Sequence, residues 1–375
     1  MMNRNRPDSL AIRFDREGGT LARYRVGIIA CGGIARAHAK GWSQTEAVEI
    51  AALADSNPDA LAEFGAAYGV AAEHRYLDYR QMLEREHPDI VSVCSWHGQH
   101  AEMTVAAAAR KPKLILSEKP MATSLGEADE MITACRRNNV RLAIGHMRRF
   151  YHGWEEARRL VADGAIGTPQ KVWSLIHDGL LNWGTHTIDG IRFVLGDPQT
   201  EWVLGAVERK TDRYERGLRI EDAGLGLIAL QGGTLVSLVD DLTPYGSINF
   251  QITGSEGILD VDEDNVKLFN AKTDGWQTIA FPHRDPFVGQ AHGVVDWLDG
   301  KVEDYRGEGS KGRATLEILM AIYESVRSHG VVRMPLKTRV NPLDLLVESG
   351  ELAVEHPGKY DIRSFLVRGE GMSWL

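Results

Sequence analysis

Up to about residue 150, short continuous apolar runs alternate with stretches whose apolar side chains recur at helical spacing. The runs at 26–30, 48–54, 74–77, 87–94, 113–116 and 140–145 predict buried strands. Between them, 34–41, 58–67, the surroundings of Met82 and Leu83, 101–109 and 125–137 predict helices, with Asn57 as N-cap and Pro58 at the first helical position of the second. This alternation specifies an α/β fold with an open, doubly wound, mostly parallel sheet. The loops at Cys31, Asp55, Ser95, Glu118 and His146 all follow strands, so they share the rim where such sheets bind ligands.

From Pro169 the rhythm shortens to period two. The segment 171–177 alternates like a strand with one wet face, and 202–209, 222–230, 234–241, 248–254, 257–261 and 266–269 follow as short strands between Gly-rich turns. A helix is expected from near Trp183 to Gly196, and two more over 289–298 and 310–328. The second half is therefore expected to be an α+β domain with a large, mostly antiparallel, open sheet. A chain of 375 residues suits two such domains.

The chemistry begins at the first strand. Residues 25–38 run RVGIIACGGIARAH, with Ala30, Gly32, Gly33, Ile34 and Ala35 forming the passage from strand through glycine turn to helix. That geometry presents backbone N–H groups and the positive end of a helix dipole to a diphosphate. Ala30 stands where the usual G-x-G-x-x-G fingerprint has its first glycine. Asp55, at the end of the second strand, is placed to hold a ribose hydroxyl. Its carboxylate would repel a 2′-phosphate and no Arg follows it directly, which selects NAD over NADP; Arg36 is the guanidinium nearest the turn.

Composition narrows the partners. With 43% hydrophobic and 25% charged residues the chain reads as a soluble globular protein, and no apolar run is long enough to span a membrane. Residues 1–23 are polar and Arg-rich without an apolar core, so a loose extension is expected there rather than a secretory signal. Cys31, Cys94 and Cys135 are odd in number and unpaired by spacing, which points to a reducing, cytoplasmic setting. A net charge of −9 argues against nucleic acid or an anionic membrane as partner. The histidines lack zinc-ligand spacing, and no metal is expected.

The turn at 30–35, His100 at a helix start, Glu118-Lys119-Pro120, Arg148-Arg149-Phe150 and the segment 182–189 occur in the order found in one known group, and the chain resembles the Gfo/Idh/MocA oxidoreductases (glucose–fructose oxidoreductase, inositol dehydrogenase and relatives). The resemblance implies an NAD-binding domain over 24–147 and a substrate-binding and oligomerisation domain over 148–375. It also implies a homodimer or homotetramer built through the second sheet. Ser95, Trp96, His100, Glu118 and Lys119 join the glycine turn and Asp55 as expected cofactor contacts.

Within that frame His186 is the expected general acid/base, because an imidazole titrates near neutrality. Asn182, four residues earlier, is expected on the same helical face. The family has an acid there; an amide can orient a ring but carries neither charge nor proton. Lys119 is expected to bind the substrate hydroxyl and lower its proton affinity. His146, Arg148, Arg149, His177, Asp178 and Trp183 are expected to line the substrate pocket, the arginines suiting an acidic group and the tryptophan a sugar's apolar face. Three functions fit. The first is an NAD-dependent dehydrogenase acting on a secondary hydroxyl of a sugar, glycoside, cyclitol or sugar acid. The second is a redox-assisted glycosidase or lyase that recycles a tightly bound NAD. The third is a non-catalytic sensor of NAD and sugar, against which intact Lys119 and His186 argue.

Overall fold

The computed structural model describes residues 23–177, 179–240, 247, 249–352 and the backbone of 356–361. The extension expected before residue 23, and Asp178, lie outside the described residues. In chain order the first half comprises β1 (Tyr24–Ile29), α1 (Gly33–Ser43), β2 (Val48–Ala54), α2 (Pro58–Ala67), β3 (Arg75–Tyr76), α3 (Tyr79–Glu86), β4 (Ile90–Val93), α4 (His100–Ala108), β5 (Leu114–Ser117), α5 (Leu125–Arg137) and β6 (Arg141–Ile144). The six strands are all parallel in the order β3-β2-β1-β4-β5-β6. The order reverses between β1 and β4, and a ligand crevice belongs at that switch point.

A parallel sheet must bury both faces, and alternate residues of one strand serve the two sides. Val26 and Ile28 pack with Ala35, Ala39 and Trp42 of α1, whereas Ile29 packs with Met82, Leu83, Val93 and Met131. Asn57 caps α2 as expected, its Oδ1 accepting from Asp59 N–H at 3.0 Å.

The second half continues with α6 (His152–Ala162), β7 (Pro169–Ile176), α7 (Thr185–Val194), β8 (Thr200–Glu208), β9 (Thr211–Glu215), β10 (Leu218–Arg219), β11 (Ala223–Leu230), β12 (Leu235–Asp240), β13 (Phe250–Gly254), β14 (Gly257–Val261), β15 (Asn265–Asn270), β16 (Gln277–Ala280), α8 (Pro286–Leu298), α9 (Gly309–Arg327), β17 (Val332–Arg333), α10 (Pro342–Glu348) and β18 (His356–Asp361). Nine strands form one open sheet, β16-β15-β14-β13-β7-β12-β11-β8-β17, antiparallel except where β7 meets β12. Its inner face (Val172, Ile176, Val203, Ile228, Val236, Leu238) packs with Leu316, Leu319, Met320 and Tyr323 of α9. A separate three-stranded sheet, β10-β9-β18, lies apart from it.

Two features go beyond the sequence pattern. The stretch before Pro169 contains α6, an amphipathic helix burying Trp154, Ala157 and Leu160. The chain also returns to the first sheet. Ala291, Val294, Val295 and Trp297 of α8 share a core with α1, and Gly41 permits the contact, since a Cβ there would lie 2.5 Å from Phe287 O. Further on, Ile144 N–H donates to Gly307 O at 2.8 Å.

Candidate active site

The glycine turn opens at Ala30, whose φ of +70° is the left-handed conformation that glycine adopts at less cost. Gly32 is the N-cap of α1, no side chain caps the helix, and its first turn carries no acid. The first N–H groups therefore remain available, with the positive end of the helix dipole behind them. A Cβ on Gly32 or Gly33 would meet nothing within 4 Å, so the ground above the turn is open. Asp55 locks the turn from the side: its carboxylate accepts from Cys31 N–H at 2.6 Å and from Asn57 N–H at 2.8 Å. Each oxygen keeps a lone pair for a ribose hydroxyl.

Two cavities flank this turn along the carboxyl ends of the strands. One, of about 300 Å³, runs from Ala30 and Asp55 past Ser56 and Leu77 to Arg80 and Gln99. The other, of about 340 Å³, is walled by Gly32, Gly33, Ile34, Trp96, Glu118, Lys119 and Arg216. Ser95 borders both, and its buried Oγ has no hydrogen-bond partner among the described residues. An open diphosphate cradle, an acid at the adenosine side and an orphaned hydroxyl between two cavities fit an extended dinucleotide. Arg80 is paired with Glu102 at 2.5 Å and Arg36 with Glu63 at 2.8 Å.

Lys119 follows β5, and its position is set from below. Glu118 Oε1 lies 2.8 Å from His38 Nε2, His38 Nδ1 lies 2.8 Å from Ser92 Oγ, and Glu118 Oε2 accepts Lys119 N–H at 3.1 Å. Burial disfavours the His38 cation, but Cys94 and Glu118 outweigh it and lift its pKa to about 10. Burial raises Glu118, and the His38 hydrogen bond and charge reverse that, leaving its carboxyl below the usual range. A buried ion pair thus ties α1 to the residue that carries the lysine. The Lys119 ammonium donates to Asn182 Oδ1 at 3.0 Å and to Asn182 O at 3.2 Å. Burial drives its pKa down to about 8, Glu118 and Glu215 opposing and Arg216 and Arg148 assisting.

Asn182 was expected on one helical face with His186, able to orient its ring, but its side-chain oxygen accepts from Lys119. Residues 180–184 form a π-turn in which Gly184 N–H reaches back to Gly179 O at 3.2 Å. The Asn182 amide serves Lys119 instead, while the buried His186 Nδ1 has no hydrogen-bond partner among the described residues. Burial, then Lys119, Arg148 and His146, hold His186 well below its ordinary pKa. Behind the π-turn, Leu180 N–H donates to Glu221 at 2.5 Å, and Tyr323 OH donates to the other Glu221 oxygen at 2.6 Å.

Three further expectations are corrected by donor accounting. Arg149, expected at the substrate, is fully buried and spends its N–H donors on Asp189, Asp197 and Arg306 O. His100, expected at the cofactor, is fully buried, with ring nitrogens 2.8 Å from Pro120 O and 2.9 Å from Ser95 O. It braces the loop that carries Ser95. His146 lies 3.2 Å from both Asp189 and Thr185 and steadies the start of α7. Arg148, Trp183 and His177 do come together: the Arg148 guanidinium lies 5.9 Å from the Trp183 ring centroid, and Trp183 packs on His177 at 4.1 Å. Trp96 and Ile34 share the cavity with Lys119. Ala35, buried, seats α1 on the sheet.

Sequence reasoning missed His38 and Arg216. Arg216 (φ +51°) and Gly217 (φ +80°) form the two-residue loop joining β9 to β10, which brings Arg216 to the cavity with its Nη1 3.3 Å from His97 Nε2. Two positive φ values mark a type I′ hairpin, and the Arg-Gly pair between short polar runs was the signal for it.

The profile described as "Oxidoreductase family, NAD-binding Rossmann fold" matches residues 24–146, and its C-terminal alpha/beta domain matches residues 177–334. Among curated proteins, D-apiose dehydrogenase of Paraburkholderia graminis is 27% identical over 273 residues, covering 65% of this chain and 69% of the relative. Myo-inositol 2-dehydrogenase of Thermotoga maritima is 28% identical over 191 residues, covering 47% of this chain and 56% of the relative, little more than half its length. Among solved structures, aldose-aldose oxidoreductase from Caulobacter crescentus, complexed with glycerol, superposes with a TM-score of 0.74 at 22% identity, over 83% of this chain and 100% of that one.

Proposed function

Because the chain belongs to the Gfo/Idh/MocA oxidoreductase family, with an NAD-binding Rossmann domain, we propose that it oxidises a secondary hydroxyl of a sugar, glycoside, cyclitol or sugar acid. NAD, when bound, supplies the hydride acceptor. The observation that carries this reading is Lys119, held by Asn182 on the wall of the cavity that begins at the glycine turn. The turn and Asp55 are suited to hold the diphosphate and a ribose. Lys119 and His186 are the groups available to handle the hydroxyl proton, and Arg148 and Trp183 border the same region.

The outer face of the nine-stranded sheet supports a homodimer or homotetramer. Trp173, Leu204, Leu225 and Phe269 are exposed there, and Leu204 lies opposite Leu227 in the register. Cys31, Cys94 and Cys135 are buried free thiols, which suits a reducing, cytoplasmic compartment.

The test is NADH absorbance with purified protein, NAD and a panel of sugars, glycosides, cyclitols and sugar acids. Stoichiometric NADH is the expected result. Product without net NADH would replace this reading with the redox-assisted glycosidase or lyase, for which a lysine amine held by a neutral amide is a suitable base. Neither product nor NADH across the panel would remove the dehydrogenase reading.

A further inference from the structure

Resting on the reading that this chain binds NAD at the glycine turn, we propose that Arg216 is a ligand of the cofactor's diphosphate, carried across from the second half of the chain by the β9–β10 hairpin. The turn and the hairpin tip share one cavity. Gly32 and Gly33 form one side of it, and Lys119 and Arg216 stand in its wall. In a cavity of about 340 Å³ an anion at the turn and a guanidinium in the wall are close neighbours. Ser95 Oγ, buried and without a hydrogen-bond partner among the described residues, lines the same space and marks it as built around a polar ligand.

The backbone gives an independent reason to look at Arg216. It sits at a φ of +51° and Gly217 at +80°, the type I′ geometry in which Asn or Gly is favoured at the first central position. A Cβ strains the left-handed backbone there, and an arginine does nothing to relieve it. What the position gains from arginine is its side chain, and a strained residue at a cavity wall points to a ligand.

The hairpin is held where it can deliver that side chain. At its base, Arg219 Nη1 donates to Asp344 Oδ1 of α10 at 2.8 Å. β9 is flanked by β10 on one edge and β18 on the other. At the tip, Arg216 Nη1 lies 3.5 Å from Glu215 Oε1 and 3.3 Å from Nε2 of His97, which follows β4 in the first half. The Glu215 side chain is 1% exposed, whereas 26% of the Arg216 side chain stays accessible. A buried carboxylate thus steadies a guanidinium that spans the seam between the two halves.

The chemistry suits a diphosphate. Backbone N–H groups at the start of α1 serve it from one side, and a planar guanidinium adds charge-assisted hydrogen bonds to its oxygens from the other. Bound in this way, the cofactor bridges the first half of the chain to the second. The other anion that the proposed reaction could bring here is the carboxylate of a sugar acid; the shared cavity with Gly32 and Gly33 favours the diphosphate.

Calorimetry without substrate decides it, titrating NAD, ADP-ribose and adenosine into the wild type, Arg216→Ala and Arg216→Lys. ADP-ribose keeps the diphosphate without the nicotinamide, and adenosine has neither. Arg216→Ala should weaken NAD and ADP-ribose alike by about 10- to 100-fold and leave adenosine unchanged. That loss should shrink as salt is raised, and Arg216→Lys should recover part of it. Should Arg216→Ala fail to fold, Arg216→Asn, which suits the turn, takes its place with the same expected losses. Wild-type affinity of the variant for NAD and ADP-ribose overturns the proposal. If KM for sugar acids alone then rises, Arg216 belongs to the substrate. An equal loss for adenosine also overturns it, because the damage would then lie outside the diphosphate. A wild type that binds neither NAD nor ADP-ribose removes the cofactor reading itself, and the proposal with it.

Discussion

Single residues carry much of this site in unfavourable conformations or protonation states. Ala30 sits at a φ of +70°, which costs an L-residue roughly 1–2 kcal/mol, whereas glycine pays about 0.5–1 kcal/mol in chain entropy. Ala30→Gly should therefore raise stability by about 0.5–1 kcal/mol in denaturant unfolding, without loss of NAD affinity. Asp55 fixes Cys31 N–H and, in the function proposed, would also receive a ribose, so Asp55→Ala should weaken NAD binding in calorimetry more than it lowers kcat at saturating NAD. Lys119→Ala should do the reverse, reducing kcat by about 100-fold or more with NAD affinity little changed. Equal loss in both constants would move Lys119 out of the chemistry and into cofactor binding.

At the scale of elements, the site depends on supports that are themselves ionisable. The π-turn rests on Glu221, beside which burial and the Glu221 charge raise the Asp240 carboxyl to about 9. The folded state thus keeps a proton that the unfolded chain releases near pH 4. The stability tied to that proton is fully present below about pH 4 and is lost as pH rises through about 9. Asp240→Asn should flatten this decline, seen as a smaller fall in unfolding free energy between about pH 5 and 9. A wild type whose stability does not decline over that range would mean the pair is not sharing a proton. The same scale explains why α5 was legible to its end residues, Leu125–Arg137: a capping box of Ser124 and Glu127 fixes its start. The β9–β10 hairpin, polar and short, had no hydrophobic alternation to reveal it.

For the whole molecule, two sheets are joined by a chain that crosses back. α8 belongs to the second half of the sequence but covers α1, and the bridge from Ala143 to Glu308 fastens the edge of the first sheet to the start of α9. The lysine and the segment carrying His186 thus come from the two halves but meet through Asn182. The broad outer face of the second sheet, with Trp173 and Leu225 exposed, should bury itself against another copy. Leu225→Glu is expected to convert an oligomer to a smaller species in sedimentation velocity, and a wild-type monomer would refute that association.

The sequence by itself determined the parallel sheet, its rim and the glycine turn, because strand–helix alternation and glycine placement are local properties; Lys119 and His186 were singled out only with the help of the family resemblance. It could not decide which buried charges cancel. Arg149, His100 and His146 looked available to a ligand until packing supplied Asp189, backbone carbonyls and Thr185 as their partners. Nor could it decide which group Asn182 bonds, since its partner, the Lys119 ammonium, comes from the other half of the chain. Residue types and spacing are written along the chain; hydrogen-bond partners across the fold depend on segments far apart in it, and only the folded chain brings those together.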